Sequence, residues 1–241
     1  MQIYQITGKD NIMSEEVRRM FADISGKYDF PNDFLSLGIH RLWRKKAVML
    51  SGAKETDRVL DCACGTGDLA IAYKKKVGNK GKVIATDFTK EMIELGKLKS
   101  QKKGYEITFE FADVMNLRYE DEIFDRSGIS FGIRNVDYPV QGISEMARVV
   151  RKGGTVTILE FGEPNTLISL PYRIYGKTLM PFLGKLFSKH ASAYEYLPTT
   201  AINFPCRDKF IDIMNETNLL SDCKYYSLCG GIAYIYVGIK I

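Results

Sequence analysis

Residues 57–73, DRVLDCACGTGDLAIAY, run from an apolar stretch into a glycine turn and out into a helical pattern. Few folds accommodate that order. The apolar stretch suits a strand covered on both faces, and the glycines let the backbone turn where a side chain would obstruct it. A second apolar stretch, KVIATDF at 82–88, follows the helix and carries an acid, Asp87, at its end. Strand, tight turn, helix and strand make a parallel pair joined by a crossover, almost always of right-handed sense.

The alternation continues along the chain. KEMIELGKLKSQKKG (90–104) predicts an amphipathic helix, ITFEFAD (107–113) a third strand and FDRSGISFGI (124–133) a fourth. VQGISEMARVVRKGG (140–154) predicts a helix that stops at Gly153-Gly154, and TVTILEFG (155–162) a fifth strand. FPCRDKFIDIMNETNL (204–219) predicts another helix, and CKYYSLCGGIAYIYVGIKI (223–241) two strands around Gly230-Gly231, a hairpin. The expected fold class is α/β: a doubly wound, mostly parallel, seven-stranded sheet with a C-terminal β-hairpin. Upstream, Val17, Met20, Phe21 and Ile24 recur at helical spacing behind a capping Ser14. The stretch KYDFPNDFLSLGIHRLWRKKAV (27–48), broken by Pro31 and Gly38, suggests two short helices. We therefore expect a helical N-terminal segment over 1–50, on the substrate side. The main domain spans 51–241, with helical cap elements inserted at about 165–200, and the whole forms one structural unit.

Composition narrows the function. The 241 residues are 45% apolar and 26% charged, as in a soluble globular protein. A net charge of +5 permits contact with an anionic surface and gives no reason to expect nucleic acid. Cys62 and Cys64 form a CxC inside an apolar run and read as small core residues; the five cysteines show no disulfide framework. With two histidines, no metal site is expected. The opening MQIYQITGKD lacks the form of a secretory signal, and no run of about 18 apolar residues occurs. The expectation is a cytoplasmic protein with no spanning helix.

The candidate nucleotide site follows from the strand ends. Asp61, Gly65, Thr66 and Gly67 close the first strand, and Asp87 ends the second, 20 positions beyond Gly67. A carboxylate there can accept both ribose hydroxyls, while the turn aims helix amides at the ligand. Asp113, followed by Val114, ends the third strand and suits an adenine amino group; Ser130 lies late in the fourth. Gly65 to Ala70 also satisfies a GxGxx(G/A) dinucleotide pattern, so a nicotinamide enzyme is an alternative. The acids Asp61 and Asp113, with the closing hairpin, favour an S-adenosylmethionine-dependent methyltransferase. A non-catalytic scaffold is the remaining alternative.

Four ordered motifs carry a more specific resemblance. They are Tyr28-Asp29-Phe30-Pro31-Asn32 with Leu35 to Arg44, then Ser130 to Val136 with Glu145 to Val149. Leu159-Glu160-Phe161 follows, and then Ala193 to Leu197 with Phe204-Pro205. From about Val17 to Lys240 the chain is similar to the demethylmenaquinone and 2-polyprenyl-methoxybenzoquinol methyltransferase family. The resemblance implies the class I methyltransferase fold and S-adenosylmethionine as cofactor. It implies cofactor contacts at Thr66, Asp87, Asp113, Val114 and Ser130, and a prenylated quinol as partner. It also implies C-methylation of a demethylmenaquinol, with the ubiquinone-pathway benzoquinol as the alternative acceptor. Two departures stand out: Lys152-Gly153-Gly154 where the family has Pro-Gly-Gly, and Tyr236 where it often has histidine.

Ring methylation needs an electron-rich carbon, hence the quinol rather than the quinone, and help with the departing proton. Catalytic candidates are Arg134, to stabilise a phenolate or position a water, and His40, which titrates in the right range. Tyr196 is the third, while Tyr28, Asn32, Asn135 and Tyr194 are candidates to line the quinol pocket. The plainer readings are an Arg134 salt bridge with Asp113 or Asp137, and a solvent-facing His40. The stretch 165–190 carries Arg173, Lys177, Lys185 and Lys189 without an acid. It suits a cover for the prenyl tail and peripheral contact with anionic lipid at the inner membrane face. A homodimer is compatible with all of this.

Overall fold

The computed structural model describes residues 38–165 and 204–241. The expected helix after Ser14, the candidates Tyr28, Asn32, Tyr194 and Tyr196, and the acid-free stretch from residue 166 onward lie outside the described residues.

Seven strands form one sheet: β1 (Arg58–Cys62), β2 (Lys82–Asp87), β3 (Thr108–Phe111), β4 (Phe124–Ser130), β5 (Val150–Phe161), β6 (Leu220–Leu228) and β7 (Ala233–Lys240). Their spatial order is β3-β2-β1-β4-β5-β7-β6. The first five pair in parallel; β7 runs antiparallel to both β5 and β6. Five described helices connect and cover them: α1 (Ile39–Leu50), α2 (Asp68–Val77), α3 (Lys90–Lys102), α4 (Pro139–Arg148) and α5 (Asp208–Glu216). The doubly wound sheet closed by a hairpin is the architecture expected from the alternating pattern.

The two faces of the sheet bury different clusters, because successive strand residues point to opposite sides. On β1, Val59 joins Val48, Leu69, Ala70, Tyr73, Ile93 and Phe109, from α1, α2, α3 and β3. Its neighbour Leu60 joins Ile143 and Met146 of α4 with Phe210 and Met214 of α5. Each fully buried aliphatic side chain contributes about 1.5–3 kcal/mol. A third cluster seats Trp43 and Ala47 of α1 on Leu159 of β5 and Ile235 of β7. That seat fixes α1 over the C-terminal half of the sheet.

Two boundaries differ from expectation. The fourth helix ends at Arg148, and β5 starts at Val150, so Arg151-Lys152-Gly153-Gly154 belongs to the strand. The register between β4 and β5 jumps here, from Phe124 opposite Val150 to Arg126 opposite Thr155, and Gly153 has φ +73°. A left-handed glycine serves a helix stop and a strand irregularity equally, and pairing with β4 decides for the latter. The third strand ends at Phe111, so Asp113 lies just beyond it, in a turn bridged to Asn116.

Candidate active site

The C-terminal ends of β1, β2 and β4 open onto a cleft of about 200 Å³, also bordered by the turn after β3 and by α1. This is the edge at which doubly wound sheets bind ligands. Its floor is the turn from Ala63 to Gly67, left-handed at Ala63 (φ +46°), Gly65 (+53°) and Gly67 (+80°). A Cβ on Gly67 would lie 2.9 Å from the Phe109 ring, so the turn sits directly on the core. Beside it, Phe131 at the end of β4 is also left-handed, at φ +58°. Its ring is held by Phe161, 4.4 Å between centroids, and by Trp43. Such strain in a bulky residue persists only where packing enforces it.

Asp87 ties the turn to β2. One carboxylate oxygen accepts from Gly65 N–H and the other from Thr89 N–H, each at 2.8 Å. Burial pushes its carboxyl above the usual range, against the pull of the same two amides. Asp61 lies beneath the turn, fully buried, and does not line the cleft. Neither of its oxygens has a hydrogen-bond partner. Burial holds its carboxyl well above the usual range, and the Ala70 backbone amide and the more distant Arg44 only partly offset this. A buried carboxylate without a partner calls for positive charge near it. Asp113 and Val114 both line the cleft, and Asp113 accepts from Met115 N–H at 2.8 Å.

The remaining wall is a polar chain. Arg44 Nε donates to Ser130 Oγ at 3.3 Å, and Arg44 Nη1 donates to His40 Nδ1. Asp68 pairs with Lys99 at 2.6 Å and with Arg44 at 3.8 Å. Lys99 in turn donates to Thr66 Oγ1 at 3.1 Å. Burial works against the charge of Asp68, but Arg44 and Lys99 outweigh it and lower its carboxyl below the usual range.

The sequence candidates Gly65, Thr66, Asp87, Asp113, Val114, Ser130, His40 and Asn135 thus meet in one cleft. His40 is buried, where its place in a basic helix suggested solvent. The guanidinium only donates, so in this arrangement Nδ1 is the accepting nitrogen. Arg134 is placed elsewhere. Its side chain is 3% exposed, pairs with Glu160 at 2.5 Å, donates to the Phe131 carbonyl at 2.8 Å and does not line the cleft. The expected partners Asp113 and Asp137 are replaced by Glu160, which is 1% exposed and needs a cation at that depth. Tyr236 is also outside the cleft: it is buried against Phe210, and its hydroxyl accepts from Arg207 N–H at 2.9 Å. Arg44, Lys99, Met92 and Phe131 escaped sequence reasoning as site residues. Arg44 carried two signals, its place at the end of the Leu35 to Arg44 motif and its place among Arg41, Lys45 and Lys46 on a helix with no acid.

Residues 9–240 match the ubiE/COQ5 methyltransferase family. The chain belongs to this family. A ubiquinone/menaquinone biosynthesis C-methyltransferase of Bdellovibrio bacteriovorus is 50% identical over 93% of this chain and 95% of that protein. A demethylmenaquinone methyltransferase of Staphylococcus saprophyticus is 38% identical over 94% and 97%. Among solved structures, an S-adenosylmethionine-dependent methyltransferase from Aquifex aeolicus superposes with a TM-score of 0.59 at 16% identity, covering 82% of this chain and 89% of that one. That likeness supports the fold. As a member of the ubiE/COQ5 family the chain is an S-adenosylmethionine-dependent methyltransferase. The residues present fit that cofactor. The left-handed turn leaves backbone open to a ligand, and the cleft's acids suit hydroxyl and amino donors.

Proposed function

We propose that the chain methylates a ring carbon of a reduced, prenylated quinol, with demethylmenaquinol as the natural acceptor. The observation that carries this is the match to the ubiE/COQ5 family over residues 9–240, together with the strand-end cleft. S-adenosylmethionine supplies a methyl group on a cationic sulfur. In our reading Asp87 holds the ribose, Asp113 and Val114 border the adenine, and Thr66 and Ser130 flank the chain leading to the sulfur. The Gly65–Gly67 turn brings backbone close to that ligand, and Asp61 packs below it.

The acceptor's chemistry sets the rest. An electron pair of the ring forms the new C–C bond, the pair of the S–CH₃ bond stays on sulfur, and a ring proton departs. Loss of a hydroxyl proton raises the ring's electron density, so the reduced form is the substrate. Alignment of carbon, methyl and sulfur can lower the barrier by about 7–11 kcal/mol. His40 and Asn135 line the cleft and are the described residues we assign to the acceptor's oxygens. Arg134 acts in this reading by fixing the Phe131 carbonyl and Glu160 behind the cleft wall. We assign residues 1–50 and the stretch 165–200 to covering the acceptor and its tail, at the cytoplasmic face of a membrane. No described helix is long and apolar enough to cross a membrane.

A second acceptor, the demethylated polyprenyl benzoquinol, is favoured by the name of the 50% identical relative, which covers both pathways. The test is incubation with S-adenosylmethionine and each quinol, kept reduced, with methyl gain read by mass spectrometry. Methylation of the naphthoquinol alone supports the first reading, and methylation of both supports dual use. Methylation of neither, by protein that binds S-adenosylhomocysteine, overturns the acceptor assignment.

A further inference from the structure

Arg44 stands where the cleft meets α1, and its hydrogen bonds leave part of it unused. Nε is committed to Ser130 and Nη1 to His40. Nη2 makes no hydrogen bond to a described residue, although a guanidinium carries five donors in a fixed fork. Asp68 lies 3.8 Å from Nη1 but is held more closely by Lys99, at 2.6 Å. Asp68 is therefore shared between two cations, and the charge of the guanidinium reaches this corner of the cleft through its uncommitted Nη2. The Arg44 side chain is 13% exposed, so that charge is poorly screened by water.

A buried carboxyl lies under the same turn. Asp61 is fully buried, with both oxygens unpartnered. A spare guanidinium edge on the cleft wall beside that turn complements a ligand that carries a carboxylate. The amino-acid end of S-adenosylmethionine is such a group.

We infer that Arg44 binds the α-carboxylate of the cofactor's methionine end, which makes α1 part of the donor site. This rests on the cofactor reading of the cleft. It adds a donor-side role to residues 1–50, the segment that the sequence places on the substrate side. Bound cofactor ties α1 to the glycine turn. The helix that bears His40 is then in place before the quinol arrives.

The full chain and its Arg44→Ala and Arg44→Lys variants are titrated calorimetrically with two ligands. One is S-adenosylhomocysteine; the other is 5′-methylthioadenosine, which keeps the nucleoside and thioether but lacks the amino-acid end. Arg44→Ala should weaken S-adenosylhomocysteine about 10- to 100-fold, as expected for a lost charge-assisted hydrogen bond, and leave methylthioadenosine within about twofold. Arg44→Lys should recover part of the loss. Equal weakening of both ligands would assign Arg44 to packing, and weakening of neither would place the carboxylate elsewhere; either outcome overturns the inference. A wild-type chain that binds neither ligand removes the cofactor reading itself. Melting curves without ligand show whether each variant is folded.

Discussion

Asp61 and Asp87 are both carboxylates whose acidity is suppressed by burial, yet they carry different burdens. Asp87 is compensated by two backbone amides, whereas Asp61 is left without a hydrogen bond. A folded-state pKa raised above the unfolded value of about 3.9 means that the folded chain keeps a proton the unfolded chain releases. Stability from that group therefore falls as pH rises from about 4 toward the folded value. Asp61→Asn should be more stable than wild type at pH 7, by roughly 2–4 °C in melting temperature per kcal/mol recovered, with a smaller difference near pH 4. It should also bind S-adenosylhomocysteine more weakly. A melting difference that stays flat with pH would show that Asp61 binds its proton equally in the folded and unfolded chains, so that burial does not raise its pKa. The acids and glycines of this site were legible because each sits beside a strand end in its own local pattern. Arg44 was not, because its partner Ser130 is 86 positions away and only packing of α1 on β5 brings them together.

At the scale of single elements, the glycine turn and the closing hairpin make opposite demands. Gly65 and Gly67 are both left-handed, but a Cβ on Gly65 meets nothing within 4 Å while one on Gly67 meets Phe109 at 2.9 Å. Gly65→Ala should cost about 1–2 kcal/mol for backbone strain alone. Gly67→Ala should cost about 1–3 kcal/mol more for overpacking, as read by urea denaturation. Equal costs would mean that Phe109 moves aside freely. In the hairpin, Tyr236→Phe removes the acceptor of Arg207 N–H and should cost about 1 kcal/mol. The pH dependence of kcat should stay unchanged, because Tyr236 lies outside the cleft; a shifted profile would return it to the chemistry. The sequence departure at this position thus reads as a structural one. The hairpin itself was legible from its double glycine. The misread element was the Arg151–Gly154 run, where a local helix-stop signal gave way to the non-local pairing of β5 with β4.

For the whole molecule, cofactor binding and folding are linked. S-adenosylhomocysteine at about 100 times its Kd should add about 2.7 kcal/mol, raising the melting temperature by roughly 5–10 °C. Asp87→Ala should show no such rise, and a variant that still responds like wild type would sink the assignment of Asp87. The parallel pairing of strands β1 to β5 was legible from the alternation of strand and helix. The place of β7 between β5 and β6 was not, since a hairpin can add to a sheet by either strand. That placement bears on how the chain is made. β5 is complete at Phe161, yet its outer edge pairs with Ala233–Lys240, and the intervening β6 takes no part in covering it. While the ribosome lays down the residues between them, a row of Val156, Thr157, Ile158 and Leu159 presents unpaired backbone to its surroundings. Nascent chains stalled short of residue 233 should therefore be the ones that engage chaperones or clump, and those carried past residue 240 should not.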